Sequence, residues 1–391
     1  MKARDDGFRQ ARRRRENPEA ELTTRCWHWA GTVERYGART GEIECTTRSE
    51  RAAIYATNFR SPPMMQPRPA RQNVAATPSM AIGFQFTHSR RVHAVLAYLN
   101  GQYLPRSAAM VPVDDRGFVF GDGVYEVWRV VNGRLFEAER HLQRLSFGLS
   151  EVRIAAPDIT HVDVLGRVAG RLLRESGLTE GEATFYLEIT RGAAPRTHSF
   201  PPAGTKPTVF ATVNRFNPAD ELRRTGARVI TVPDVRWMRC DIKTVQLLPN
   251  VLAKQEAAEA GAVDALMVRD GMITESSHAN VLAVLNGAIR THPANNLILR
   301  GITREVVLDI ARETGIAVHE HAFSARDIPR LEELFLVGTT TDVTPVVRVD
   351  DTTIGSGTPG PIAQRLFTEL RARIDAACSA RLESDFAPAP A

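Results

Sequence analysis

Lys243 is the residue on which any chemistry of this chain would turn. It lies in the stretch Arg236–Glu256, RWMRCDIKTVQLLPNVLAKQE, between Ile242 and Thr244 and with apolar residues close downstream. A lysine amine attacks carbonyls only as the neutral base, and partial burial favours that form, so the position suits a Schiff-base lysine. Spacing alone decides little, because lysines beside apolar residues commonly keep their heads in water. Glu275, in ITESSHAN, is a second candidate. A buried carboxylate there would hold a proton on a pyridine nitrogen and turn such a ring into an electron sink; taken singly, it reads as an exposed acid at a strand end. The stretch Leu299–Val306, LRGITREV, enters a helix through a glycine and a threonine. Its N–H groups at Ile302 and Thr303 would face an anion such as a phosphate, although Thr303 is equally an ordinary N-cap. Thr339 and Thr340 offer hydroxyls after a buried strand, where β-propensity is the plainer explanation. Arg144, in HLQRL, follows Arg140 by one helical turn and by spacing alone is a solvated arginine. FGDGVYEV sets Tyr125 after two glycines that permit close backbone approach, and RGAAPRTHSF presents Arg196 and His198 as donors suited to a carboxylate.

The elements that must position these residues begin near Val95. Asn100-Gly101, Asn132-Gly133, Asp270-Gly271 and Asn286-Gly287 each lie between β-prone residues, the strongest short-range signal for a hairpin. Leu165, Val168, Leu172 and Leu173 have helical spacing, with Gly177 placed to cap. Phe185, Leu187 and Ile189 alternate with Tyr186, Glu188 and Thr190, a strand with one buried face, and Val209, Ala211 and Val213 repeat the pattern. A polar link, Asn214–Arg223, precedes a second half that opens on the β-run Arg228–Val232. There Pro249 can open a helix and Gly261 close it, another helix runs from Thr303 to Gly315, the strand Leu334–Val337 follows, and a last helix lies within Pro361–Ala377. Hairpins and helices mixed in two halves imply two α+β domains.

Composition narrows the class. The 391 residues are 43% hydrophobic and 24% charged, values of a globular protein, and no apolar run is long enough to span a membrane. Cysteines 26, 45, 240 and 378 are scattered, without metal-type or disulfide-framework spacing, which fits a reducing cytoplasm. The net charge of +5 is uneven: residues 1–94 carry 17 Lys+Arg against 9 Asp+Glu, so the body is slightly acidic. That basic segment, with Arg12–Arg15 and the Pro-rich patch Pro62–Pro69, reads as a nucleic-acid or membrane-surface arm, or as a disordered extension with Met80 a possible internal start. Acids interrupting the basic run favour the extension, and no partnership with nucleic acid or membrane is expected.

DRGFVFGDGVYEV, HLQRL, TRGAAPRTHSF, RWMRCDIK, LAKQEA, THPANN, GITREVV and TTTDVTPV together resemble the class IV, fold-type IV pyridoxal-phosphate-dependent aminotransferases, in the family's order and from about Leu96 to Arg371. The resemblance implies an α+β fold of two α/β domains, 95–217 and the larger 218–380, with pyridoxal 5'-phosphate between them. It implies that Lys243 carries the cofactor, Glu275 pairs with its ring nitrogen, and Leu299 supports the ring. Arg144, Ile302, Thr303 and Thr339 would contact its phosphate. Tyr125 would stand beside cofactor and substrate, and Arg196 and His198 would trap the substrate carboxylate from the neighbouring subunit of a homodimer. Nearest are the family's D-amino-acid members, implying transfer between D-alanine and 2-oxoglutarate to give pyruvate and D-glutamate. Branched-chain aminotransferases and aminodeoxychorismate lyases share the fold, but the PRTH loop argues against both. The chain departs from the D-amino-acid pattern after the glutamate, where small hydroxyl residues are replaced by His278 and Ala279; Thr244, where serine is frequent, keeps a hydroxyl.

Overall fold

The computed structural model describes residues 96–379; the expectations for residues 1–94 fall outside them. Two sheets carry the described chain. The first holds six strands: β1 (Leu96–Leu99), β2 (Gln102–Pro105), β3 (Gly123–Val131), β4 (Arg134–Leu135), β5 (Glu182–Thr190) and β6 (Thr208–Arg215). The second holds nine: β7 (Ala227–Pro233), β8 (Asp264–Arg269), β9 (Met272–Ser276), β10 (Asn280–Leu285), β11 (Ala288–Thr291), β12 (Val318–His319), β13 (Glu333–Gly338), β14 (Asp342–Val349) and β15 (Thr352–Thr353). The helices are α1 (Arg116–Phe120), α2 (Ala138–Glu151), α3 (Val162–Glu175), α4 (Asp220–Thr225), α5 (Leu248–Glu259), α6 (Ile302–Glu313) and α7 (Pro361–Ser379).

All four Asn-Gly and Asp-Gly pairs turn hairpins, joining β1 to β2, β3 to β4, β8 to β9 and β10 to β11. Their residues all take positive φ, from 48° at Asn132 to 91° at Gly101, as a tight hairpin turn requires. The first sheet is antiparallel throughout, in the order β2-β1-β6-β5-β3-β4. Its alternating apolar residues, Trp128, Phe185, Leu187 and Ile189, pack against the apolar stripes of α2 and α3, among them Leu145, Leu149, Leu165 and Leu172. Thr190 does not follow the outward alternation: it is buried and its hydroxyl donates to Asp115, which also accepts from Thr208.

The second sheet runs β12-β11-β10-β13-β14-β7-β8-β9, with β15 beside β14. It is parallel where β7 meets β14 and β8 and where β11 meets β12, and α5 forms the crossover between β7 and β8. One core gathers β10, β13, α6 and α7; another covers the opposite side with Phe323, Ile328 and Leu331. Burial on both sides explains why β10 and β13 are unbroken apolar runs instead of alternating ones.

The stretch Asn214–Arg223 is more than a polar link. It leads into α4, and Arg223 is buried with its guanidinium 3.2 Å from Asp342 on β14. Asp342 also faces Arg129 of β3 at 3.6 Å, and Arg129 pairs with Glu182 of β5, which Arg371 of α7 meets at 3.0 Å. Arg129 further donates to the Thr339 carbonyl at 3.2 Å and lies over the Phe216 ring. This buried network joins the two sheets. Replacing Arg129 by Met leaves Asp342 and Glu182 short of a buried cation and is expected to cost about 3–5 kcal/mol of stability. Adding Asp342→Asn to that variant should cost clearly less than the two single changes together, because partners in one network do not add. Denaturant unfolding checks both statements, and strictly additive changes would break the proposed coupling.

Candidate active site

The lysine segment is fixed by backbone before any side chain acts. Tyr125 N donates to Lys243 O at 3.0 Å and Val245 N to Gly123 O at 3.1 Å, so the segment lies against the first residues of β3 as a short antiparallel bridge. Ile242, next to the lysine, is buried in the core of the first sheet. Lys243 itself is half-buried, its Nζ 4.3 Å from the centroid of the Tyr125 ring, which stacks in turn on Tyr186.

Glu275 comes from the other sheet, near the end of β9, and is buried. Its carboxylate accepts from Asn280 at 3.1 Å and from Leu299 N at 3.2 and 3.3 Å, and pairs with Arg236. Arg236 is held by Asp234 through Nε and Nη2 at 2.9 and 2.8 Å. Burial pushes the Glu275 carboxyl up despite the attraction of Arg236. In Asp234 the opposite holds: burial is outweighed by Arg236 and Thr274, and the carboxyl sits at about 2. Glu275 therefore keeps affinity for a proton while its neighbours fix its position.

Arg144 is not a solvated arginine. Its guanidinium straddles Glu126 at 2.6 and 2.9 Å and donates to Arg300 O at 2.8 Å. Glu126 is fully buried and also meets His141 Nδ1 at 2.8 Å. Burial would raise that carboxyl, but Arg144 and His141 hold it well below the usual range, while burial pushes His141 down. Arg140 pairs instead with Glu137 and Asp309. At the start of α6 the cap is Gly301, so Thr303 is inside the first turn and is not the cap. The N–H groups of Ile302 and Thr303 thus have no acceptor within the helix. A Cβ on Gly301 would collide with Asn280 Oδ1, which fixes that close turn.

Tyr125, Arg144, Lys243, Glu275, Leu299, Ile302, Thr303 and Thr339 all line one cavity of about 640 Å³, together with Gly338 and Thr340. Arg196 and His198 do not. They are exposed on a loop held by Arg116, which donates to Thr197 O at 2.7 Å, and both rest near the Phe120 ring. The groups the sequence reading missed are Glu126, His141, Asp234, Arg236 and Asn280. Charges at positions of an otherwise apolar strand, Glu126 and Arg129 in VYEVWRVV, are the signal that was available.

The donor set fits a phosphate-bearing pyridine aldehyde. A helix start, hydroxyls and Arg144 converge as an anion site, a buried carboxylate stands ready for a ring nitrogen, and a lysine amine faces the same space. Among the described residues no helix is long and apolar enough to cross a membrane.

Comparison with known proteins gives the same outline. Residues 123–349 match the model of the class IV amino-transferase family. The chain is 39% identical to the D-alanine aminotransferase of Bacillus licheniformis over 283 residues, covering 70% of this chain and 94% of that protein. It is also 39% identical to the D-alanine aminotransferase of Staphylococcus haemolyticus, over 69% of this chain and 94% of the relative. Among solved structures it resembles a T.th. branched-chain amino acid aminotransferase complexed with N-(5'-phosphopyridoxyl)-L-glutamate, with a TM-score of 0.64 and 26% identity over 75% of this chain and 97% of that one. The branched-chain enzyme of Escherichia coli shares the fold at 23% identity and a TM-score of 0.64, over 74% of this chain and 97% of the other.

Glu126 reaches the cavity through Arg144 and through Val127, whose N–H donates to it at 3.2 Å. Glu126→Gln should loosen that guanidinium and lower affinity for pyridoxal 5'-phosphate roughly tenfold, the order of one lost charge-assisted hydrogen bond. Equilibrium dialysis measures it, and undiminished affinity in a folded variant would detach Arg144 from the phosphate.

Proposed function

Because the chain belongs to the class IV aminotransferases, we propose that it is a D-amino-acid aminotransferase that binds pyridoxal 5'-phosphate and exchanges an amino group between D-alanine, or other D-amino acids, and 2-oxoglutarate, giving pyruvate and D-glutamate. The observation that carries this reading is the convergence of Lys243, Glu275 and the start of α6 on one cavity, in a chain whose named relatives are D-alanine aminotransferases.

When bound, the cofactor supplies an aldehyde to take up the substrate amine and a ring to accept the electrons left as the α-proton departs. Lys243 would hold the cofactor covalently and, when released, its amine would take up the proton that leaves the substrate α-carbon. Glu275 would sit opposite the ring nitrogen, where its negative charge, supported by Arg236, would favour the protonated ring. Arg236, Asn280 and the Leu299 N–H keep that carboxylate from swinging away. Arg144, the N–H groups of Ile302 and Thr303 and the hydroxyl of Thr339 would take the phosphate, and Leu299 would support the ring.

Arg196 and His198 trap the substrate carboxylate in the cavity of a second copy. Their exposure outside their own cavity supports this, as do exposed Val113 and Phe118 on the segment hydrogen-bonded to their loop. The homodimer, and a cytoplasmic setting compatible with free Cys240 and Cys378, belong to the same proposal. A branched-chain activity is the second reading, favoured by the solved structures of similar fold. Paired assays of D- and L-amino acids with 2-oxoglutarate separate the two.

Lys243→Ala should lose the near-visible absorbance of the bound cofactor and nearly all amino transfer; normal turnover would remove Lys243 from the mechanism. Arg196→Ala should weaken binding of α-amino acids by roughly 2–5 kcal/mol where the contact is desolvated. Mixed with Lys243→Ala it should regain part of its activity, since one site of each mixed dimer then has both an intact lysine and an intact loop. A variant that melts early yet keeps wild-type Michaelis constants for D-alanine would reduce Arg196 to a support of its own loop.

A further inference from the structure

The cations around the cavity divide into those with an assigned partner and those without, and the second group faces room for a further anion. Arg144 pairs with Glu126 and on the reading above serves the phosphate, Arg236 is committed to Asp234 and Glu275, and Lys243 serves the chemistry. Glu275 is the one carboxylate among the cavity-lining residues, and its oxygens are already covered. What remains is the wall made by α5 and the turn between β9 and β10, where Asn250, Lys254, Gln255, Ser277 and His278 line the same space.

This wall is built, not incidental. Asn250 Nδ2 donates to Ser277 O at 2.8 Å, which pins the turn to α5. Beneath it Asp264, the first residue of β8, has no exposed surface. Its Oδ1 accepts from Ala265 N at 2.8 Å and from the Ser277 hydroxyl. Its Oδ2 makes no hydrogen bond within the described residues and stands 3.1 Å from His278 Nδ1. A buried carboxylate oxygen in that state calls for a polar neighbour, and the ring of His278 is the group in place. The Asp264 carboxyl accordingly sits at about 2: burial would raise it, but His278, Lys254 and Ser277 together outweigh burial. Fixed through Nδ1, the ring has its Nε2 without a hydrogen-bond partner among the described residues, and the side chain is 45% exposed. Lys254 adds positive charge to the wall while donating to Val263 O at 2.5 Å.

We propose that His278, held by Asp264 through Nδ1, determines specificity for dicarboxylic substrates: with a proton on each ring nitrogen, it binds their second carboxylate through Nε2–H. The preferred class is then D-glutamate, D-aspartate and the matching 2-oxo acids. This rests on the amino-transfer reading above, in which Arg144 with α6 takes the phosphate and the Arg196 loop takes the first carboxylate, so neither is free for the second.

The test uses the holoenzyme and two substitutions. His278→Asn puts an amide nitrogen near the position of Nδ1, keeping a donor to Asp264 while removing the outward one; His278→Gln extends an amide towards the position of Nε2. Calorimetric binding of glutarate is compared with butyrate, and the KM for 2-oxoglutarate with that for pyruvate. In His278→Asn the glutarate-to-butyrate ratio of dissociation constants and the KM ratio should each rise about tenfold, the size of one lost charge-assisted contact, with partial recovery in His278→Gln. Ratios that stay at the wild-type value in both folded variants overturn the proposal. So does a fall in pyridoxal 5'-phosphate retention with unmoved ratios, which would assign the anion to the cofactor. Because glutarate binding needs no turnover, a protein that discriminates glutarate through His278 yet transaminates no D-amino acid would refute the amino-transfer reading while leaving the second-carboxylate contact standing.

Discussion

Arg129 sits where the two sheets meet, and the rest of the arrangement depends on its charge being matched there. Burial works against the pair at its centre: it pushes the Asp342 carboxyl up against the pull of Arg129 and Arg223, and it pushes Arg129 down against Asp342 and Glu182. An apolar seam of the same volume would be the easier way to stick two sheets together. Charge pairing instead admits one alignment, because a shift of one layer leaves buried ions unpaired on both sides. The cavity is lined from both sheets, so its geometry is only as well defined as that alignment.

The strand β3 turns this alignment into a site. Its alternation presents Tyr125, Val127 and Arg129 to one side and Val124, Glu126 and Trp128 to the other. Tyr125 and Val127 line the cavity, and Arg129 reaches the Thr339 carbonyl across the seam. On the opposite side Glu126 orients Arg144 from α2, and Trp128 fills the first core. One strand thereby sets the tyrosine, the arginine and the register between layers.

Those parts of the fold that follow from local rules were legible in the sequence. The hairpins at Asn100, Asn132, Asp270 and Asn286 need only positive φ, and α3, α5 and α6 need only spacing and end signals. The α+β class and the aminotransferase family followed from ordered motifs. What stayed hidden was pairing at a distance. Arg236 lies in the same stretch as Lys243, but its partner Glu275 is 39 positions away. Arg144 read as solvated because Glu126, its partner, sits inside an apolar run that suggests only a strand. Arg196 and His198 were expected at a substrate carboxylate, and in this chain they lie exposed outside its cavity. Thr339 was read for its hydroxyl, yet its carbonyl is what Arg129 holds.

The backbone bridge between Lys243 and β3 has a consequence for how this pocket tolerates change. Peptide groups, not side chains, set where the lysine stands: the Tyr125 N–H, the Lys243 carbonyl, the Val245 N–H and the Gly123 carbonyl. Such bonds are indifferent to the side chain at position 125 or 245, with proline the exception because it lacks the donor. The wall at Tyr125 can therefore be re-lined, by drift or by design, while the backbone of Lys243 keeps its post. Position 123 lacks that freedom, since a Cβ there would press on the Ile189 carbonyl. Plasticity in what the cavity accepts and constancy in where the amine stands are thus assigned to different atoms of the same strand.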